Sequence, residues 1–256
     1  MAGGKGSRLA PLTNVVNKHL LPIFDKPMIY YPLTTLMLAG IREFALITAP
    51  KDISHFRELF SNGDKFGIKI TYIEQHNPLG IGEGISLSQN FAGKEKVALI
   101  LGDNIFHGIG LGRQLAMYTD VIGAQIFAYQ VRDPENYGVV EISPTGEILS
   151  LQEKPTNPKS KFAIPGLYFY DNEVFDFAEN LHPSKRGEFE VTDLNKQYLA
   201  KNKLNVSILS AGTSWLDTGT FNGLHDAASF IRIMEERQNS IIGDPTHAAR
   251  IQGWIR

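Results

Sequence analysis

The chain has 256 residues, 43% of them hydrophobic, and its 25 basic and 27 acidic side chains leave a net charge of −2. That is enough apolar sequence for a sizeable core, and the balanced charge argues against a nucleic-acid partner. The lack of cysteine excludes disulfides, thiol nucleophiles and cysteine-bound zinc, and with no signal-peptide order at the start and no apolar run near the roughly 20 residues that span a bilayer, a cytoplasmic protein with no membrane partner is expected.

Along the chain, Pro27 suits the first turn of a helix that runs through Met37, kinks at Pro32 and stops near Gly40. Phe44–Thr48, Ile68–Ile73 and Val97–Leu101 read as buried strands. Ile53–Phe60 and Ile81–Phe91, by their apolar spacing, read as helices between them. This alternation predicts an α/β fold, Rossmann-like and three-layered, with a mostly parallel sheet covered by helices on both faces. After Gly123 the pattern changes. Gln125–Val131, Val139–Ile142, Ile148–Leu151 and Leu167–Tyr170 read as strands of an inserted mixed or antiparallel region, broken by turn signals such as Pro144-Thr145-Gly146. Phe175–Leu181 and Val191–Leu199 read as helices, Val206–Leu209 as a strand and Phe221–Gln238 as a long amphipathic helix. No repeat, low-complexity tract or linker divides the chain, so one domain over residues 1–256 is expected.

The most informative segment is Ala2-Gly3-Gly4-Lys5-Gly6-Ser7-Arg8-Leu9. Its glycines let the backbone approach an anion and turn N–H groups inward, and Arg8 adds a fork of donors. It matches neither a Walker A loop, where lysine would precede Ser/Thr directly, nor the dinucleotide fingerprint, where Arg8 falls near the third glycine. Seven histidines show no metal-ligand spacing, and no serine stands in a nucleophile elbow.

Downstream come Asn17-Lys18-His19-Leu20-Leu21-Pro22, Asp25-Lys26-Pro27-Met28-Ile29, Leu101-Gly102-Asp103-Asn104, Tyr137-Gly138-Val139-Val140-Glu141, Glu153-Lys154-Pro155, Gly166-Leu167-Tyr168-Phe169-Tyr170, Gly187–Asp193 and Trp215-Leu216-Asp217-Thr218-Gly219. In this order, over nearly the whole chain, the motifs resemble those of the sugar-1-phosphate nucleotidylyltransferase family. The resemblance implies in-line attack of a sugar phosphate, glucose 1-phosphate, on the α-phosphorus of dTTP, with UTP or GTP as alternatives. It places nucleotide binding in the half up to about 122, sugar binding in 123–240, and a helical end at 241–256. It makes Asp103 and Asp217 the ligands of Mg2+. Arg8, with Gly3, Gly4, Gly6 and Ser7, would hold the triphosphate, and Lys18 and Lys154 the sugar phosphate. Glu153 would accept sugar hydroxyls, Gly138 and Gly166 would offer backbone groups, and Tyr137 either packs against the sugar or fills core. Lys26 fits either an exposed cation or a phosphate contact. A homo-oligomer, a tetramer, is implied as well. A non-catalytic nucleotide-sugar-binding relative shares the same motifs.

Three departures bear on these expectations. The family opens with a strand leading into Leu-Ala-Gly-Gly, whereas Met1 stands directly before Ala2 here, so neighbouring strands lose ladder partners unless another segment supplies them. The base-reading segment, Asp-Gly-Leu-Ala-Gln-Ala in the family, is Leu79-Gly80-Ile81-Gly82-Glu83-Gly84. An ionised Glu83 only accepts, which suits guanine's two adjacent donors better than thymine's O4; alternatively it points to solvent and reads nothing. Last, longer members continue with further C-terminal helices past Gly253-Trp254-Ile255-Arg256, helices that serve subunit contacts and a regulatory site.

Overall fold

The structure, a computed structural model, describes residues 1–4 and 6–256; Lys5 of the glycine-rich loop lies outside the described residues. The elements begin with β1 (Pro22–Ile23), β2 (Lys26–Pro27), α1 (Tyr30–Leu38), β3 (Glu43–Thr48), α2 (Ile53–Phe60), β4 (Lys69–Glu74), α3 (Ile81–Leu87), α4 (Gln89–Ala92) and β5 (Val97–Ile100). They continue with β6 (Asn104–His107), α5 (Leu111–Ala116), β7 (Ala124–Gln130), β8 (Gly138–Ile142), β9 (Ile148–Glu153), β10 (Phe162–Ala163) and β11 (Leu167–Tyr170). The last are α6 (Glu173–Glu179), α7 (Val191–Ala200), β12 (Leu204–Ile208), β13 (Ser214–Asp217), α8 (Phe221–Gln238) and α9 (Pro245–Ile251). Helices and strands interleave as the α/β expectation requires. The chain forms two compact units, residues 1–78, 100–117 and 212–256 in the first and residues 79–99 and 118–211 in the second. No described helix is long and apolar enough to cross a membrane.

In the first unit β3 and β4 run parallel, with Glu43 opposite Lys69 and Thr48 opposite Glu74. The helix between them, α2, buries Ile53, Phe56 and Phe60 on one stripe. Phe60 packs against Tyr30 and Phe66, with ring centroids 5.5 and 6.3 Å away. Met1 and Ala2 bond to backbone on either side of them. Ala2 N–H donates to Ile47 O at 2.7 Å, the Met1 ammonium to Ile100 O at 3.0 Å, and Gly102 N–H to Met1 O at 2.8 Å. Two residues thus tie β3 to Ile100 and Gly102 of the same unit, and the glycine-rich loop starts from a buried Ala2.

Helix α1 starts at Tyr30 and not at Pro27, because Lys26 and Pro27 pair antiparallel with Ile23 and Pro22. Pro32 then falls in the first turn, where its missing N–H costs nothing and no kink is required. At the far end of the unit, α8 is capped by Thr220, whose hydroxyl accepts Gly223 N–H at 3.1 Å. It packs Ala227 and Ile231 into a core with Leu9, Ile23, Met28, Tyr31 and Ile105.

The second unit is built on a mixed sheet in the order β5-β11-β7-β10-β8-β9, with β12 parallel to β7. Its centre, Ala124–Ala128 of β7, is buried throughout. Helix α7 closes one face with Val191, Leu194 and Tyr198. The single helix expected over Ile81–Phe91 is two, α3 and α4, parted where the Ser88 hydroxyl donates to Ile85 O at 2.7 Å.

Candidate active site

Four charged residues gather in the first unit. The glycine-rich loop wraps the Lys18 side chain, with Gly4 lying 3.8 Å from its Nζ by way of a Cβ built there. Gly6 sits at φ 64°, in the left-handed region, and a Cβ on it would come within 3.2 Å of Lys18 Cβ. Thr13 Oγ1 locks the turn by donating to Gly6 O at 2.9 Å. Gly3 backs onto the buried Gln75 side chain, which leaves no room for a methyl group. Ser7–Leu9 then form a 3₁₀ turn that buries Leu9 and leaves Ser7 and Arg8 exposed.

Lys18 forms an ion pair with Asp103, both side chains being only 13% and 12% exposed. A buried network behind Lys18 was not foreseen from sequence. Asn17 caps the turn of Lys18–Leu20, its Oδ1 accepting His19 N–H at 3.0 Å and His19 Nδ1–H at 2.8 Å. Its Nδ2 donates to the buried Asp52 Oδ2 at 2.8 Å and to Ala2 O at 3.2 Å. Only the motif spelling Asn17-Lys18-His19 hinted at this; Asp52 carries no local signal.

Burial, reinforced by the Lys18 charge, holds the His19 pKa well below the ordinary value. The unfolded chain therefore binds this proton first, near pH 6.5, and stability rises with pH through the window below that value. We expect the unfolding free energy to fall on acidification below pH ~6.5, by ~1.4 kcal/mol per unit for this one group. His107, lowered by its own burial, adds in the same direction. Denaturant titrations from pH 7.5 to 5.5 should show His19→Gln losing one proton's worth of slope; an unchanged slope would mean that His19 is not held neutral.

Strand pairing brings the two aspartates together. Asp103 immediately precedes β6, Asp217 ends β13, and Asp217 stands opposite Asn104 in the antiparallel register. Thr218 clips the two segments, its N–H and Oγ1 donating to Asp103 O at 3.0 and 2.8 Å. Asn104 Nδ2 donates to Asp103 Oδ1 at 3.0 Å, and Gly219 N–H donates to Asp217 Oδ1 at 2.9 Å. Burial disfavours the Asp103 charge, but Lys18 beside it prevails and keeps the carboxyl well below the usual carboxylate range. Asp217 goes the other way: burial, then the Asp103 charge, push it up against the pull of Gly219 N–H and Arg8. Two partly buried like charges side by side suit a cation. Among the described residues no group of three or more His, Cys, Asp or Glu could form a full protein cage. Two carboxylates alone fit Mg2+, which completes its shell with phosphates and waters.

The sugar-reading candidates lie in the second unit. Gly138 pairs with Glu153 across β8 and β9. Glu153 Oε2 accepts Thr192 Oγ1 at 2.5 Å and its Oε1 accepts Arg186 Nη1 at 3.2 Å. A Cβ on Gly138 would stand 3.3 Å from Thr192 Oγ1 and 3.5 Å from Glu153 Oε2, so the glycine keeps this carboxylate accessible. Lys154 holds φ 40°, rare for a residue with a side chain, and its N–H donates to Tyr137 O at 3.0 Å. Ile164 N–H donates to Gly138 O at 2.7 Å, which brings the buried Pro165-Gly166 turn to the same end of the sheet as half-buried Tyr137. Thr192 and Arg186 were missed from sequence, although both flank or lie in the motif 187–193. Glu83 also lies in this unit, its Oε2 accepting Leu79 N–H at 3.0 Å just ahead of α3. The Leu79–Gly84 segment is laced to Phe189, which donates its N–H to Leu79 O at 2.7 Å and accepts Gly82 N–H at 3.0 Å.

The chain matches the nucleotidyl transferase family over residues 1–233. It is 50% identical over 255 residues to a Mycobacterium tuberculosis glucose-1-phosphate thymidylyltransferase, covering 100% of this chain and 88% of that relative. It is 48% identical over 256 residues to a Neisseria meningitidis protein of the same name, covering 100% and 89%. Among solved structures, a Bacillus anthracis glucose-1-phosphate thymidylyltransferase in complex with a sucrose superposes with a TM-score of 0.84 at 35% identity, over 96% of each chain. A UDP-glucose pyrophosphorylase complexed with UDP-glucose shares the fold, with a TM-score of 0.81 at 23% identity over 91% of this chain and 96% of its own.

Proposed function

Because this chain belongs to the nucleotidyl transferase family, we propose that it acts as a glucose-1-phosphate thymidylyltransferase, making dTDP-glucose and pyrophosphate from dTTP and glucose 1-phosphate. The observation that carries the reading is the meeting of Asp103, Asp217, Lys18 and Arg8 in one unit. A phosphate oxygen of the sugar phosphate attacks the α-phosphorus. The new P–O bond forms as the bond to the bridging oxygen of pyrophosphate breaks, and pyrophosphate leaves on the opposite side. The attacking oxygen is already ionised near neutral pH, so the residues serve alignment and charge neutralisation and no base is needed.

Arg8 grips the triphosphate, with Gly3, Gly4, Gly6 and Ser7 bringing backbone close to it. Lys18 offsets the charge of the attacking phosphate. Asp103 and Asp217 would hold Mg2+, which when bound would neutralise charge on the phosphates. In the second unit Lys154 contacts the sugar phosphate, and Glu153 accepts sugar hydroxyls where Thr192 and Arg186 now donate. A cytoplasmic homo-oligomer, a tetramer, completes the reading and is checked by light scattering.

The direct test measures pyrophosphate release with Mg2+ and glucose 1-phosphate, supplying dTTP, UTP, GTP, CTP and ATP in turn. Release with dTTP is expected; no release with any nucleotide from a folded sample would overturn the reading. Glu83 bears on the base. Glutamine keeps an acceptor for Leu79 N–H and adds a donor for thymine O4. Glu83→Gln is therefore expected to raise the dTTP-to-GTP ratio of kcat/KM by about tenfold, one hydrogen bond's worth. An unchanged ratio would leave Glu83 as an acceptor for Leu79 N–H that reads no base.

A further inference from the structure

We propose that Gly219 is a positioning residue, which seats the Arg8 guanidinium beside Asp217 and so sets the spacing between the triphosphate grip and the metal-bearing carboxylate. The proposal rests on the roles given above to Arg8 and Asp217. A Cβ built on Gly219 would lie 2.7 Å from Arg8 Nη2, 3.4 Å from Arg8 Cζ and 3.0 Å from Asp217 Oδ1. The same residue donates its N–H to Asp217 Oδ1 at 2.9 Å. One glycine therefore touches both charged groups, its backbone holding the carboxylate and its bare Cα face receiving the guanidinium.

Conformation does not call for glycine at this position, because the φ of Gly219 lies outside the left-handed region, unlike that of Gly6. Space does. The backbone has little freedom to yield. Thr218 on one side is bonded twice to Asp103 O. Thr220 on the other side caps α8 through Gly223 N–H, and Gly223 itself packs directly on the Asp217 carbonyl. Arg8, by contrast, is the flexible end of an exposed residue whose neighbour Leu9 is the buried anchor. A methyl group at 219 must displace Arg8 before it displaces the chain.

A double-mutant cycle of Gly219→Ala and Arg8→Ala tests this. The readouts are kcat and KM for dTTP in pyrophosphate release, dTTP affinity by calorimetry, and Tm. Gly219→Ala is expected to raise KM for dTTP about tenfold, to lower kcat less, and to keep Tm within a few degrees. Arg8→Ala is expected to cost more, and in its background Gly219→Ala should add less than about twofold. An equal cost with and without Arg8 would overturn the proposal. So would a silent Gly219→Ala beside a damaging Arg8→Ala. Wild-type dTTP binding by Arg8→Ala would instead sink the role of Arg8, and the proposal with it. If Gly219→Ala alone does not fold, recovery of folding in the Arg8→Ala background supports the clash, and continued failure there refutes it.

Discussion

Asp103→Asn is expected to lower turnover on the order of 10³-fold while leaving the protein folded. The amide matches the carboxylate in size, so the effect isolates charge and proton count. In the parent, Oδ2 meets Lys18 and Oδ1 accepts Asn104 Nδ2 at 3.0 Å. The Asn104 amide cannot turn to accommodate a change, because its own Oδ1 accepts Trp215 Nε1–H at 2.7 Å. A new asparagine must therefore aim its oxygen at Asn104 and its NH₂ at the Lys18 ammonium, donor against donor. The proposed magnesium site would lose a carboxylate and Lys18 its anchor in one step. Stability should fall by up to about 3 kcal/mol, as for any buried pair that loses one partner, with a partial offset because Asp217, raised first by burial, is relieved of the Asp103 charge. Pyrophosphate release at saturating Mg2+ checks this, with Tm alongside. Turnover within tenfold of the parent would remove the metal role from Asp103.

Local pattern was enough for some elements and powerless for others. Helices α2 and α8 have the predicted bounds, Ile53–Phe60 and Phe221–Gln238, because their apolar spacing, and for α8 the Thr220 cap, are written in adjacent residues. Strands β6 and β13 were not predicted. Each has four residues, and each owes its extended form to pairing with a segment more than a hundred positions away. The motifs marked Asp103 and Asp217 as candidates, but nothing short of that pairing puts them side by side. The same holds for Asn17 with Asp52 and for Glu153 with Thr192, where one partner is a motif residue and the other looks like any polar side chain. Gly219 shows the limit from another direction. It was read as part of a motif, and its contact with Arg8 spans nearly the whole chain.

Lys18→Met is expected to cost both activity and stability, and the pH dependence separates the two. Loss of the cation proposed to face the attacking phosphate should lower kcat/KM by about 10²–10³-fold. It also strands a buried carboxylate. Both side chains of the pair keep some exposure, 13% and 12%, so the stability loss should fall at about 3 kcal/mol, the low end for breaking a buried pair. In the parent, Lys18 holds the Asp103 carboxyl below its unfolded value of ~3.9, so its contribution is present above that pH and is lost as pH falls through the native value. Without Lys18, burial prevails at Asp103 and pushes its pKa up. Ionising it then costs stability as pH rises through the raised value. The Tm gap between parent and variant should therefore widen from pH 4.5 to 7.5 and close in acid. A gap independent of pH would mean that the loss is one of packing around the lysine stem. If Asp103 takes Mg2+ as proposed, millimolar Mg2+ should substitute for the lost cation and raise the Tm of the variant more than that of the parent, where Lys18 holds the same Asp103 oxygen.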